Sequence, residues 1–171
     1  MDVRDALPIH PLPDGERPRD ARPRDLRIAG LVAEPRILAD EPLAALPHVR
    51  LTEPFVCEEG WTVNGLTWEG IPLREILALG QPLTAARYVR VRAGEYWIAL
   101  ALDEIERAFL CDRLNGEWLT RQHGAPWRLV VSGGACFTSV KWVDTLELAA
   151  EPGAATAERI ARSRIDAENT D

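Results

Sequence analysis

Phe55-Val56-Cys57-Glu58-Glu59-Gly60-Trp61, followed by Leu66-Thr67-Trp68-Glu69-Gly70-Ile71-Pro72-Leu73-Arg74-Glu75-Ile76-Leu77, carries the strongest local pattern in the chain. An apolar, extended approach delivers one thiol, and a glycine turn and an aromatic residue follow it. No second cysteine lies at the spacing of a zinc knuckle or a CxxC redox pair. Cys57 is therefore a buried apolar residue, a nucleophile, or a single protein thiolate on a soft metal. The second stretch reads as a strand running into a short helix over Pro72–Gly80, with proline near the first helical position and Gly80 as a left-handed cap.

Around this segment the chain has the length of one domain. It has 171 residues, 46% hydrophobic and 27% charged, the balance of a globular protein with a substantial core. Twenty-seven acidic residues against 20 basic ones give a formal charge of −7, the wrong sign for a nucleic-acid binder, so an anion site must be built locally. No apolar run reaches the roughly 20 residues of a membrane span. The N-terminus has no signal-peptide pattern, and three cysteines without framework spacing suit a reducing compartment, so a cytoplasmic location is expected.

The organisation expected is α+β, a strand-rich mixed sheet with short helices. Residues 1–25 form a proline-rich arm, 26–150 the domain, and 151–171 a frayed or loosely docked tail. Strands are expected at Leu26–Val32, Val49–Cys57, Tyr88–Arg92, Tyr96–Leu100, Trp127–Val131 and Val140–Leu148. Asp103 with Glu106 reads as a capping box opening a brief helix through Phe109. Asn115-Gly116 between Leu114 and Trp118 marks a type I′ hairpin. Cys111 and Cys136 have no partner at metal-ligand spacing and read as plain buried or semi-buried thiols; for Cys136, near the Ser139-Val140-Lys141 block, a role at the site mouth is the lesser alternative. The six tryptophans read as core or cleft wall.

Several blocks together resemble the molybdopterin-binding domain of the sulfite oxidase family, in its short bacterial type, related to the catalytic subunit of the periplasmic methionine-sulfoxide reductase. They are the Cys57 segment and its continuation to Leu77, Leu114-Asn115-Gly116-Glu117-Trp118-Leu119, His123-Gly124-Ala125-Pro126-Trp127-Arg128-Leu129-Val130-Val131, and Ser139-Val140-Lys141-Trp142-Val143. The resemblance spans about residues 26–149. It implies the sulfite oxidase molybdopterin-binding fold and a molybdenum-molybdopterin cofactor, with Cys57 the only protein ligand to the metal. The metal itself would keep that thiol deprotonated, against the opposing charges of Glu58 and Glu59. It also implies pterin and phosphate contacts from His123, Arg128, Ser139, Val140 and Lys141, with Arg92 a further candidate, and Tyr96 near the substrate face. Ser132-Gly133-Gly134 offers backbone donors in a nest-like turn.

The resemblance implies oxygen-atom transfer at a molybdenum centre ligated by Cys57 and a pyranopterin dithiolene. Sulfite oxidases follow the cysteine with arginines that neutralise a dianion; here the stretch is Gly60-Trp61-Thr62, so a small-molecule substrate other than sulfite is expected. The contacts family members make upstream of the first strand fall here on Pro8-Ile9-His10-Pro11-Leu12-Pro13, and Ser132-Gly133 replaces their Pro-Gly. No CxxCH haem motif is present, so electrons are expected to pass to a separate partner: a cytochrome, a flavoprotein or a membrane haem protein. A non-catalytic cofactor-binding or interaction module that keeps the fold is the alternative, and a cysteine-nucleophile enzyme the third reading.

Overall fold

The computed structural model describes Leu7, residues 25–57 and 60–160, and Ser163. The proline-rich arm expected over residues 1–25 lies outside these apart from Leu7 and Asp25.

Among the described residues the strands form two five-stranded sheets and a small hairpin. The first sheet contains β1 (Leu26–Gly30), β2 (Arg36–Leu38), β7 (Tyr88–Ala93), β8 (Tyr96–Ala101) and β12 (Thr145–Ala149), in the order β2-β1-β12-β7-β8. Only β1 and β12 are parallel neighbours. The second contains β3 (Val49–Thr52), β6 (Thr67–Pro72), β9 (Ala108–Leu114), β10 (Glu117–Trp118) and β11 (Arg128–Val131). Its spine is β10-β9-β6-β3, and β11 also pairs with β9. A separate hairpin joins β4 (Phe55–Val56) to β5 (Thr62–Val63), and Cys57 sits where β4 ends. Among the described residues there are also the short helices α1 (Asp40–Ala44) and α2 (Leu73–Ala78), and a helical stretch over residues 156–160 of the tail. The strand-rich α+β expectation therefore holds.

The central strand of the second sheet, β9, is buried on both faces. Along β9, Ala108 and Leu110 pack into the larger core with the first sheet and α2, while Phe109 and Cys111 pack into a smaller core with Val63, Leu66, Trp68 and Val130. A strand covered on both sides has no polar face, so its sequence is a continuous apolar run instead of an alternation. That is why the expected helix through Phe109 is overturned: only Ile105–Arg107 makes a 3₁₀ turn, without a side-chain cap, and β9 begins at Ala108.

Three other expectations are corrected. The strand read over Val140–Leu148 exists only from Thr145, because Trp142 takes a left-handed φ of 58° that no strand accommodates. The left-handed residue after α2 is Gln81 (φ 52°), not Gly80. Gly80 answers to space instead, since a Cβ there would lie 2.6 Å from Ile28 Cγ2. The tail is not frayed where it follows β12. Arg90 donates to the carbonyls of Glu151 and Pro152, Trp97 N–H donates to Thr156 Oγ1 at 3.0 Å, and Ala157 is completely buried. Asn115-Gly116 does form the expected turn, with φ of 54° and 82° joining β9 to β10.

Candidate functional site

The β4–β5 hairpin fixes Cys57 from both sides of its turn. Its N–H donates to the Trp61 carbonyl at 2.9 Å, and Gly60 N–H donates back to the Cys57 carbonyl at 3.0 Å. Gly60 makes this possible with φ 92°. Phe55 stacks on Trp61 at 5.8 Å and tilts against Trp68 at 6.0 Å, so the hairpin leans on an aromatic wall and its thiol is buried. Glu58 and Glu59 lie outside the described residues.

Arg128 packs against the same wall. It is 4% exposed, with its guanidinium carbon 4.7 Å from the Trp68 ring centre and 5.2 Å from that of Phe55. Its Nε donates to Ser139 Oγ at 2.8 Å and its Nη1 to the His123 carbonyl at 3.2 Å. Ser139 Oγ passes the bond on to the Leu129 carbonyl. Among the described residues these hydrogen-bond partners are all neutral. Burial pushes the guanidinium down to about 10, partly offset by the nearby Cys111 and Cys136 sulfurs.

Lys141 is the second cation. Its Nζ donates to the Gln122 carbonyl at 2.9 Å and lies 5.7 Å from the Trp142 ring centre. Burial, and then the like charge of Arg128, push its ammonium down to about 7. Gly124 lets the two cation-bearing segments meet. Its φ is 109°, and a Cβ there would lie 3.1 Å from Lys141 Cβ and 3.2 Å from Arg128 Cβ. Trp142 closes the contact through its N–H to the Gly124 carbonyl and its Nε1–H to the Arg121 carbonyl. His123 is buried with Nδ1 2.8 Å from Thr120 Oγ1, and its carbonyl, not its ring, serves Arg128.

The remaining residues expected at the site fall at different places. Val140 is fully buried, and its carbonyl accepts from Leu129 N–H. Tyr96, opening β8, donates its hydroxyl to the Phe137 carbonyl at 2.9 Å. It thereby reaches the 3₁₀ turn Cys136–Thr138. Arg92 is engaged elsewhere, donating to Glu147 Oε2 at 2.8 Å across the first sheet. The donors of Ser132 and Gly133 hold the Glu53 carboxylate at 2.9 and 3.3 Å, so that turn faces an acid. Cys111 is the plain buried thiol expected, its sulfur donating to the Arg113 carbonyl and burial pushing it up to about 12.

Cys136, read from the sequence mainly as a plain thiol, has a contact that the sequence did not predict. Its Sγ lies 2.7 Å from Cys57 Sγ, across 79 residues of chain. Trp68 is the wall residue expected of the tryptophans, and Phe55 joins it under Arg128 without having been expected there. Among the described residues no three His, Cys, Asp or Glu side chains gather into a metal-binding group, and no helix is long and apolar enough to cross a membrane.

Comparison with known proteins places the chain in a family. The model of the oxidoreductase molybdopterin binding domain matches residues 14–157. The uncharacterized oxidoreductase YuiH of Bacillus subtilis (strain 168) is 31% identical over 130 residues, covering 74% of this chain and 66% of that protein. A sulfite oxidase of Arabidopsis thaliana is 30% identical over 162 residues, covering 72% of this chain and 41% of that protein. In structure, the chain resembles the sulfane dehydrogenase SoxCD from Paracoccus pantotrophus with a TM-score of 0.68 and 24% identity, over 81% of this chain and 40% of that one, a likeness of fold. A hairpin-held thiol, two adjoining cations on an aromatic wall and a family match over most of the chain lead to one conclusion: this protein belongs to the oxidoreductase molybdopterin binding domain family.

Proposed function

We propose that the chain is the catalytic domain of a molybdopterin-dependent oxidoreductase, with Cys57 as the protein ligand to the metal and Arg128 and Lys141 as the seat of the pterin's phosphate. The observation that carries this reading is Arg128, a buried guanidinium whose hydrogen-bond partners among the described residues are all neutral, beside a lysine whose charge it already opposes. Two adjoining cations in a poorly solvated place are costly unless an anion joins them. The terminal phosphate of a pyranopterin is such an anion, and the residues present therefore fit the group. When bound, molybdopterin supplies two-electron redox chemistry and oxygen-atom transfer.

The chain's own residues do the rest. The Cys57 turn holds its sulfur in a fixed place, from which it would bind the metal as a thiolate. Ser139 Oγ and the His123 carbonyl fix the plane of the Arg128 guanidinium, which Phe55 and Trp68 shield from water. Tyr96 donates its hydroxyl to the Phe137 carbonyl and so ties β8 to the turn beside Cys57. Gly60-Trp61-Thr62 brings no cation to the thiol, which favours a substrate other than sulfite. A separate electron carrier is the proposed partner.

Elemental mass spectrometry of protein made in a molybdenum-replete host tests this reading. Near-stoichiometric molybdenum, lost in Cys57→Ser, is expected. A chain that retains the pterin without molybdenum would instead support a non-catalytic module, and a chain that retains neither would overturn both.

A further inference from the structure

The Cys57–Cys136 contact joins two segments that have no reason in sequence to meet. Cys57 ends β4 in one hairpin; Cys136 opens the 3₁₀ turn after β11. All three cysteines are thiols, yet these two sulfurs stand 2.7 Å apart. That is well inside the roughly 3.5–4 Å at which even carbon atoms settle without bonding. It is about 0.7 Å longer than a sulfur–sulfur bond of about 2.05 Å. Both turns are held by backbone hydrogen bonds, Cys57 through Trp61 and Gly60, and Cys136 through Ser139 N–H to its carbonyl. Tyr96 anchors the second turn at Phe137. The pairing is thus a built feature of two anchored turns. Exposure differs between the partners: Cys57 is buried and Cys136 is partly exposed, so a solvent-borne reagent meets Cys136 first.

The geometry points to a redox-modification site. Cys57 and Cys136 form a reversible disulfide with a small-molecule disulfide of the glutathione class as oxidant, and this takes the proposed metal ligand out of service until it is reduced. The Cys136 sulfur attacks one sulfur of the oxidant, forming a mixed disulfide and expelling one thiol. Cys57 sulfur then attacks Cys136 sulfur, forming the intramolecular bond and expelling the second thiol. The two protein protons leave on the two released thiols. The protein pair is oxidised by two electrons, and the small disulfide is reduced by two. Cys111, deeply buried and with its thiol pushed up by burial, stays out of the exchange. Closing a loop of 79 residues restricts the unfolded chain, so the oxidised form melts higher.

The blocking of cofactor uptake rests on the function proposed above; the disulfide does not. The test uses full-length chain made in a host that cannot make molybdopterin. After incubation with oxidised glutathione, peptide mapping is expected to find Cys57 and Cys136 cross-linked, with one thiol left, reactive only in denaturant. The melting midpoint should rise by about 5–10 °C and return with dithiothreitol. Cys136→Ala should give no internal cross-link and no such rise. Both thiols remaining alkylatable, with no cross-link, would overturn the inference. In the second arm, oxidised and reduced chain are offered molybdenum cofactor, and bound metal is counted. Uptake by the reduced form alone supports the blocking role, and equal uptake by both overturns it. Uptake by neither, with the cross-link formed, fells the molybdenum reading and the blocking role with it while leaving the disulfide standing.

Discussion

Lys141 and Arg128 differ in what pH can do to them. The lysine is pushed down to about 7 and the arginine only to about 10, so between those values one cation of the pair is lost and the other kept. An anion bound between them favours the charged lysine, so its affinity falls as pH rises through about 7. Sulfate, whose own charge is constant here, should bind the metal-free chain about 5–10-fold more weakly at pH 8.5 than at pH 6, by calorimetry. Lys141→Arg should flatten the profile; an unchanged slope in that variant would show that another group titrates. Stability runs the opposite way. The unfolded lysine titrates near 10.5, so from about 7 to 10.5 the unfolded chain binds more protons and folding gains as pH rises. Arg128 separates function from structure. Arg128→Met removes a buried charge but leaves the His123 carbonyl and Ser139 hydroxyl short of a donor. The two effects roughly cancel, and stability should stay within about 2 kcal/mol in urea unfolding. Sulfate binding should nevertheless be abolished. A collapse of the fold with no separate binding effect would make Arg128 a structural residue only.

At the scale of elements, two glycines with left-handed backbones make a controlled pair. Gly116 (φ 82°) turns β9 into β10 and has open space around its Cα; Gly124 (φ 109°) has Lys141 and Arg128 against it. Alanine at either site meets the same backbone penalty of about 1–2 kcal/mol. Both variants should melt about 3–8 °C lower, but only Gly124→Ala should also weaken sulfate binding, by pushing the Lys141 stem away. Equal binding in both would mean that Gly124 does not set the spacing of the cations. The same elements show what sequence can reveal. Asn115-Gly116 was legible because a type I′ turn demands those residues locally, and β7 because it alternates across one covered face. Strand β9 was not, because a core on each side erases alternation. Residues 140–144 misread as strand because the left-handed Trp142 is set by bonds to Gly124 and Arg121, some 20 residues away. Cys57, His123, Arg128, Ser139 and Lys141 could be picked out from the blocks they stand in. Cys136 could not, since its partner lies 79 residues upstream and only the folded chain brings the sulfurs together.

For the whole molecule, the segment beyond β12 decides how the first sheet ends. Strand β8 is an outer strand of that sheet, and such an edge offers unpaired backbone groups to any other chain. Here the tail covers it: Thr156 accepts from Trp97 N–H, donates to the Glu95 carbonyl at 2.8 Å, and seats Ala157 in the core. Gly153 allows the approach, since a Cβ there would lie 3.0 Å from the Trp97 ring. Strand β8 also begins at Tyr96, whose hydroxyl fastens the turn bearing Cys136, so the tail is linked mechanically to the thiol pair. Ending the chain after Pro152 removes at least the two Thr156 hydrogen bonds and the Ala157 contact, about 2–3 kcal/mol, and should lower the melting midpoint by about 4–10 °C. The Trp97 amide should exchange with solvent faster, and light scattering should show concentration-dependent association through the bared edge. Cross-linking of Cys57 to Cys136 should slow as the Tyr96 anchor loosens. A truncated chain that stays monomeric and cross-links at the full-length rate would show that β8 holds its edge, and its turn, without the tail.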